Sequence, residues 1–190
     1  LRDAIDPVGE LVAAGAEAVL NLSCSPWRSG KPAERRRVVG GLARRHGVPI
    51  VYVNQLGGND EIIFDGGSFV AGGDGRILAQ LPLFEPALEV VDLDRPGPGR
   101  DAAEVEEPAR IAQLEAALVL GIGDYFHKQG LPPGAVVGLS GGIDSAVTAH
   151  LAVRALGADQ VLGVAMPGPF SSEHSVEDAL ELGERLGIRV

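Results

Sequence analysis

The stretch that most constrains the fold is Val136 to Ala149, reading VVGLSGGIDSAVTA. It opens on apolar β-branched residues, Val136 and Val137, which suit a buried strand of a parallel sheet. A turn holding Ser140, Gly141 and Gly142 follows, and Asp144 and Ser145 lead into an alanine- and valine-rich helix. A strand, a glycine turn and a helix start in this order make an anion site. Backbone N–H groups point at the ligand with no side chain in the way, and the helix dipole adds partial positive charge. The competing use of the same residues is a plain strand–turn–helix connection, for which a lone Gly-Gly would suffice.

The details narrow the anion. A GxxxxGK[ST] phosphate loop carries Lys and then Ser or Thr after its last glycine; here Ile143 and Asp144 stand instead. No lysine is in place to clamp a transferred γ-phosphate. Asp144 cannot hold phosphate by charge, but it can hold a magnesium ion that bridges phosphates. The hexapeptide SGGIDS with its flanks resembles the pyrophosphate loop of the AMP-forming ATP pyrophosphatases. Those enzymes cleave ATP between the α and β phosphates and activate a carboxylate or carbonyl oxygen as an adenylate.

Composition sets outer limits. At 190 residues the chain is one large domain or two small ones. Hydrophobic content of 45% and charged content of 22% are those of a globular protein. A net charge of −10 argues against nucleic acid as a general partner, since phosphate backbones need a basic surface. No apolar run reaches the ~20 residues that span a bilayer. No signal peptide is expected, and one cysteine cannot form an internal disulfide. A cytoplasmic protein with no membrane partner is expected. The first residue is Leu rather than Met, so a fragment is expected too.

In chain order, residues 8–15 read as the end of a helix closed by Gly15, and 16–23 as a buried strand. Lys31 to His46 is helical in pattern, started by Pro32 and ended by Gly47. Residues 48–55 form another buried strand, and 57–67 (GGNDEIIFDGG) a turn-rich connection. Ser68 to Val70, Arg76 to Leu81 and Leu88 to Val91 read as short strands, with GGDG (72–75) as a hairpin turn. Residues 93–108 are rich in proline, glycine and carboxylates and are read as a linker.

After the linker, Ala109 to Gln129 is an amphipathic helix with Ile111, Leu114, Leu118, Ile122 and Phe126 at helical spacing. The glycine turn leads into a helix to Leu156, and a strand runs from Gln160 to Ala165. Ser172, Glu173 and Ser175 offer capping chemistry before a helix to Leu186, and Ile188 to Val190 opens a third strand. The whole is α/β, and its second part is the start of a doubly wound parallel sheet that needs further strands and helical cover.

At this point a resemblance becomes specific. GLSGGIDSAVTAHLA followed by VLGVAMPGPFSSEHSVEDALELGERLGI is similar to the synthetase domain of the glutamine-dependent NAD synthetases. AEAVLNLSCSPWRSGKPAERR, VPIVYVNQLGGNDEIIFDGGSFV and LPLFEPALEVVDL resemble the last part of that family's nitrilase-like glutaminase domain. The resemblance implies three segments. Residues 1–92 would be the end of a nitrilase-like α/β sandwich, and 93–108 a linker. Residues 109–190 would begin a truncated adenine nucleotide alpha hydrolase-like domain. It implies a ligase that adenylates the nicotinate carboxylate of deamido-NAD, with ammonia from glutamine displacing AMP. Gly138, Leu139, Ser140, Gly141, Gly142, Ile143, Asp144 and Ser145 would hold ATP, and Asp144 would bind Mg2+. It also implies a homo-oligomer.

Nitrilase-type amidases use a Glu–Lys–Cys constellation. The one thiol here, Cys24, matches a position beside the glutamine pocket rather than the nucleophile, so the catalytic Cys, Glu and Lys are expected upstream of Leu1. By position in NLSxSPxxxGK, Ser25 and Lys31 match residues that bind glutamine; a hydroxyl can hydrogen-bond, and an ammonium can pair with an α-carboxylate. The alternative is that Ser25 caps a turn and Lys31 is a solvated charge, although a cation at a helix start opposes the dipole.

Other residues rate as structural. Lys31, Arg35 to Arg37, Arg44 and Arg45 form a basic face expected to be solvated or to contact a subunit. The four histidines show no metal spacing. Trp27 is expected near the glutamine site; Glu61 and Asp65 flank an apolar stretch and suggest paired carboxylates, with turn chemistry at DGG the favoured use. Met166, Pro167, Ser171 and Ser172 follow a strand end where open α/β sheets bind ligands. Two other classes stay open: a different pyrophosphate-loop enzyme, of GMP synthetase-like or tRNA-thiolating type, and a nucleotide-binding module without catalysis.

Overall fold

The computed structural model describes residues 6–94, 97–132, 134–168 and 173–190, with no account of the Glu173 side chain. It divides into two compact units, Leu1–Gly57 with Ile62–Leu114, and Gly58–Glu61 with Glu115–Val190. No helix among the described residues is long and apolar enough to cross a membrane.

In the first unit, α1 (Pro7–Ala13) is capped by the Asp6 carboxylate, which accepts from the Gly9 N–H at 3.0 Å. β1 (Val19–Ser23) runs parallel to β2 (Ile50–Asn54), with Ser23 opposite Asn54. Between them α2 (Lys31–His46) supplies the crossover and ends on Gly47, whose φ of 71° is the left-handed geometry a glycine C-cap provides. β5 (Phe69–Ala71) and β6 (Ile77–Gln80) complete a sheet in the order β1-β2-β5-β6, the last two added antiparallel around the 72–75 turn. Val39 and Ala43 of α2 pack on Val19, Ile50, Tyr52, Phe69, Ala71 and Ile77. Tyr52 and Phe69 stack with ring centroids 5.1 Å apart.

Several expectations are corrected here. Residues 57–67 are not merely turns: β3 (Leu56–Asn59) and β4 (Ile62–Asp65) pair as a hairpin, because Ile62, Ile63 and Phe64 supply the β-forming run that the glycines concealed. Residues 88–91 form no strand; Leu88 and Val90 stand almost fully in solvent with no ladder partner to hold them extended. Of the expected buried strand β1 only Val19 is buried, with Leu20 72% and Leu22 80% exposed. The second half of the expected linker is docked on the first unit: Arg100 exchanges two backbone hydrogen bonds with Ile77, at 2.7 and 2.9 Å, and Ala102 and Val105 pack against its core.

The second unit holds most of α3 (Arg110–Lys128), then β7 (Ala135–Leu139), α4 (Ile143–Leu156), β8 (Val161–Ala165) and α5 (Glu173–Leu186). β7 and β8 are parallel and in register from Ala135↔Val161 to Leu139↔Ala165, and a parallel bridge from Leu162 to Arg189 starts a further strand position. Ala149 and Ala152 of α4 and Ala179 of α5 lie on Val137, Leu139, Val161 and Ile188; small side chains let the helices approach the sheet closely. Val136, expected inside, is exposed because it points to the uncovered face of the sheet. In α3 the most buried positions are Gln113 and Ala117, not the larger Ile111, Leu114 and Leu118, which stay exposed. The helical period was right, but its packed stripe is rotated to one side of the largest residues.

Candidate functional site: a glycine loop and a polar loop

The glycine loop leaves the carboxyl end of β7 at Leu139 and enters α4 at Ile143. Gly142 is the N-cap residue in extended geometry, and no side chain caps the helix. The first intrahelical bond runs from the Ala146 N–H to the Gly142 carbonyl, 3.2 Å. The N–H groups of Ile143, Asp144 and Ser145 therefore come before any helical acceptor and face outward at the positive end of the dipole.

Two serines brace the loop. The Ser145 hydroxyl donates to the Gly142 carbonyl (2.9 Å) and accepts from the Ser140 N–H (3.2 Å). The Ser140 hydroxyl lies 3.1 Å from it and accepts from the Gly142 N–H at 3.3 Å. With one proton on each oxygen, Ser140 must donate to Ser145, and all four bonds are satisfied together. Gly141 has φ +76°, and a Cβ there would lie 2.5 Å from the Ser175 carbonyl oxygen of α5. Only glycine fits. The loop is thus held open by its own side chains, leaving amides and not hydroxyls as the groups presented to an anion.

Asp144 is exposed in the first turn of α4. Among the described residues no three acidic, histidine or cysteine side chains gather as a metal cage. A lone carboxylate is the donor set of a magnesium ion that takes its remaining ligands from phosphate and water. Met166, at the carboxyl end of β8, lies beside Gly138: a Cβ on that glycine would meet its Cε at 3.4 Å. Ser171 and Ser172 lie outside the described residues. On the other side of the loop a cavity of about 300 Å³ is lined by Gly141, Gly142 and Ile143 with Asp178, Glu181 and Arg185 of α5. Its two carboxylates repel phosphate, so the anion side is the amide edge above β7.

The polar loop lies in the first unit, from the end of β1 to the start of α2. Ser25 follows β1, and its N–H donates to the Asn54 side-chain oxygen at 2.9 Å while its carbonyl faces the Asn54 amide nitrogen at 3.3 Å. The Trp27 backbone N–H donates to the Ile63 carbonyl (2.8 Å), and the indole ring meets Phe84 edge-on at 5.6 Å. Lys31 is the first residue of α2, and its ammonium lies 3.4 Å from the Glu34 carboxylate, which Arg28 also engages. Burial pushes the Glu34 carboxyl up, but the Arg28 and Lys31 cations outweigh it and the carboxyl sits below its ordinary value. Cys24 is exposed, one residue from Ser25.

Beneath this loop is a group that sequence reasoning misassigned. Arg35 and Arg36 are not on a solvated face: they are 6% and 3% exposed. Arg36 pairs with Glu107, and Arg35 with Asp65, which is fully buried and takes no part in a simple turn. Burial pushes the Asp65 carboxyl above its ordinary value against the pull of the Arg35 guanidinium. The available signal was the spacing of Arg35 four residues after Lys31, which puts both on one helix face.

Residues 9–100 match the carbon-nitrogen hydrolase family and residues 114–190 the NAD synthase family. In sequence the chain is similar to the glutamine-dependent NAD(+) synthetases. It is 44% identical to that of Synechocystis sp. over 186 residues, covering 97% of this chain and 33% of the relative. Against that of Rhodobacter capsulatus it is 44% identical over 188 residues, covering 97% and 34%. The structure of glutamine-dependent NAD+ synthetase from Acinetobacter baumannii in complex with ADP superposes with TM-score 0.84 at 39% identity, over 96% of this chain and 35% of that one. The chain spans about a third of the length of these relatives.

Proposed function

We propose that this chain is part of a ligase that amidates deamido-NAD to NAD, using ATP and ammonia released from glutamine. The observation that carries the reading is the first turn of α4: three outward amides above a glycine turn, on a chain whose other segment matches the carbon-nitrogen hydrolase family. Gly138 to Ser145 are assigned to ATP. The donors of Ile143, Asp144 and Ser145 suit the β- and γ-phosphates, which leave together. A nicotinate carboxylate oxygen attacks the α-phosphorus, the α–β bridging bond breaks, and pyrophosphate departs. Ammonia then adds to the acyl carbon of the adenylate, loses a proton, and AMP leaves with the electron pair of the C–O bond. Asp144 is assigned to Mg2+, which supplies charge neutralisation on the phosphates.

In the first unit Ser25 and Lys31 are assigned to glutamine. The Lys31 ammonium would meet its α-carboxylate, and the Ser25 hydroxyl would hydrogen-bond the substrate. No residue of the amidase's catalytic trio is assigned to this chain, and Cys24 is read as a small residue beside the pocket. A single cysteine and the acidic balance support a cytoplasmic enzyme; a homo-oligomer is part of the same reading. Incubating the full-length protein with deamido-NAD, ATP and Mg2+ should give NAD from either glutamine or ammonia, and NAD from neither would overturn the assignment. Asp144→Ala should lower pyrophosphate release at least about 100-fold while the protein stays folded. Near-normal release would refute its role.

A further inference from the structure

Ser25 and Lys31 come from opposite ends of the loop between β1 and α2, and neither is held in place by the other. Each is tied to one buried carboxylate. On the Ser25 side, the Asn54 side chain takes up both backbone polar groups of Ser25, two residues past the Ser23↔Asn54 pair that ends the β1–β2 ladder. The Asn54 amide nitrogen also faces Asp65 Oδ1 at 3.3 Å and the Gly66 carbonyl at 3.1 Å, and the Asn54 N–H donates to the Ser68 hydroxyl at 3.0 Å. On the Lys31 side, Arg35 sits one helical turn further along the same face of α2, and its guanidinium reaches Asp65 Oδ1 and, at 3.4 Å, the Gly66 carbonyl.

From this juxtaposition we infer that Asp65, acting through Asn54 and Arg35, is a positioning residue that sets the spacing between Ser25 and Lys31 and so the fit of glutamine. The inference rests on the assignment of those two residues to glutamine.

The chemistry of the group favours this over simple stabilisation. A buried ion pair contributes little net stability compared with apolar residues of the same volume, because desolvation offsets the attraction. What it does provide is direction. The carboxylate oxygen and the planar guanidinium accept few relative orientations, so the pair fixes α2, one turn beyond Lys31, against the hairpin carrying Asp65. The other Asp65 oxygen, Oδ2, and the Arg35 Nε are buried with no hydrogen-bond partner among the described residues.

The test uses the full-length enzyme with Asp65→Asn, which preserves shape and one acceptor oxygen but removes the charge that orients Arg35. Glutamine-supported NAD formation is measured as KM and kcat, and ammonia-supported formation on the same preparation normalises for folded, active synthetase. The expected result is a glutamine KM raised about tenfold or more, with a smaller change in kcat. Arg35→Lys keeps a cation without the fork and should shift the same KM in the same direction by less. It also decides the matter if Asp65→Asn does not fold. A glutamine KM within twofold of wild type in a folded variant, whatever happens to its melting temperature, overturns the inference. A wild-type protein that forms NAD with neither donor would instead sink the underlying assignment.

Discussion

Gly141→Ala tests whether the anion loop is shaped by its packing on α5. At φ +76° an alanine suffers its own backbone clash, worth about 1–2 kcal/mol. Its Cβ would also lie 2.5 Å from the Ser175 carbonyl oxygen, 2.7 Å from the Ser175 Cα and 2.9 Å from its carbonyl carbon. Those are main-chain atoms and cannot swing aside, so α5 or the loop must move, at a further cost of about 1–3 kcal/mol. The sum is about 2–5 kcal/mol, taken from the second unit. Gly142→Ala is the control: its φ is −94°, its Cβ would meet only the Ser140 hydroxyl oxygen at 3.3 Å, and it should cost under about 1 kcal/mol. Native-state amide exchange of peptides covering 135–139 and 161–165 reads this locally. Gly141→Ala should accelerate exchange there at least about 25-fold, and Gly142→Ala less than about 5-fold. Equal protection in the two variants would refute the claim that the crossing with α5 dictates the loop.

Two further outcomes are expected. Lys31→Met should raise the glutamine KM of the full-length enzyme at least about tenfold, since a hydrogen-bonded ion pair to carboxylate is lost; an unchanged KM returns Lys31 to a solvated helix start. Asp124 is the acid-sensitive group of the second unit. Burial raises its carboxyl, but its ion pair with Lys128 at 2.8 Å and the Gly58 N–H, also at 2.8 Å, outweigh that and hold it below 3.8. A carboxyl lowered on folding contributes stability that is complete above its unfolded value and lost as pH falls through its folded one. Asp124→Asn should therefore cost about 0.5–1 kcal/mol in denaturation near neutral pH, a difference that shrinks below about pH 3.8. A difference independent of pH would show that its charge is not the cause.

The sequence by itself determined what is local. The order of β7, glycine turn and α4, the start of α2 beside Pro32 and its end at Gly47, and the turn at 72–75 all follow from glycine, proline and hydrophobic period within a few residues. The candidate anion loop was legible for the same reason: its donors are its own backbone. What only the tertiary structure decided depends on partners distant in the chain. Arg35 and Arg36 read as solvated because charge favours water, and they are buried because Asp65 and Glu107 meet them from 30 and 71 residues away. Which side of α3 packs, why position 141 admits only glycine, and how one carboxylate ties Ser25 to the helix of Lys31 were likewise set by elements that approach through folding. Periodicity and propensity describe a segment; the neighbour that satisfies a buried charge is a property of the fold.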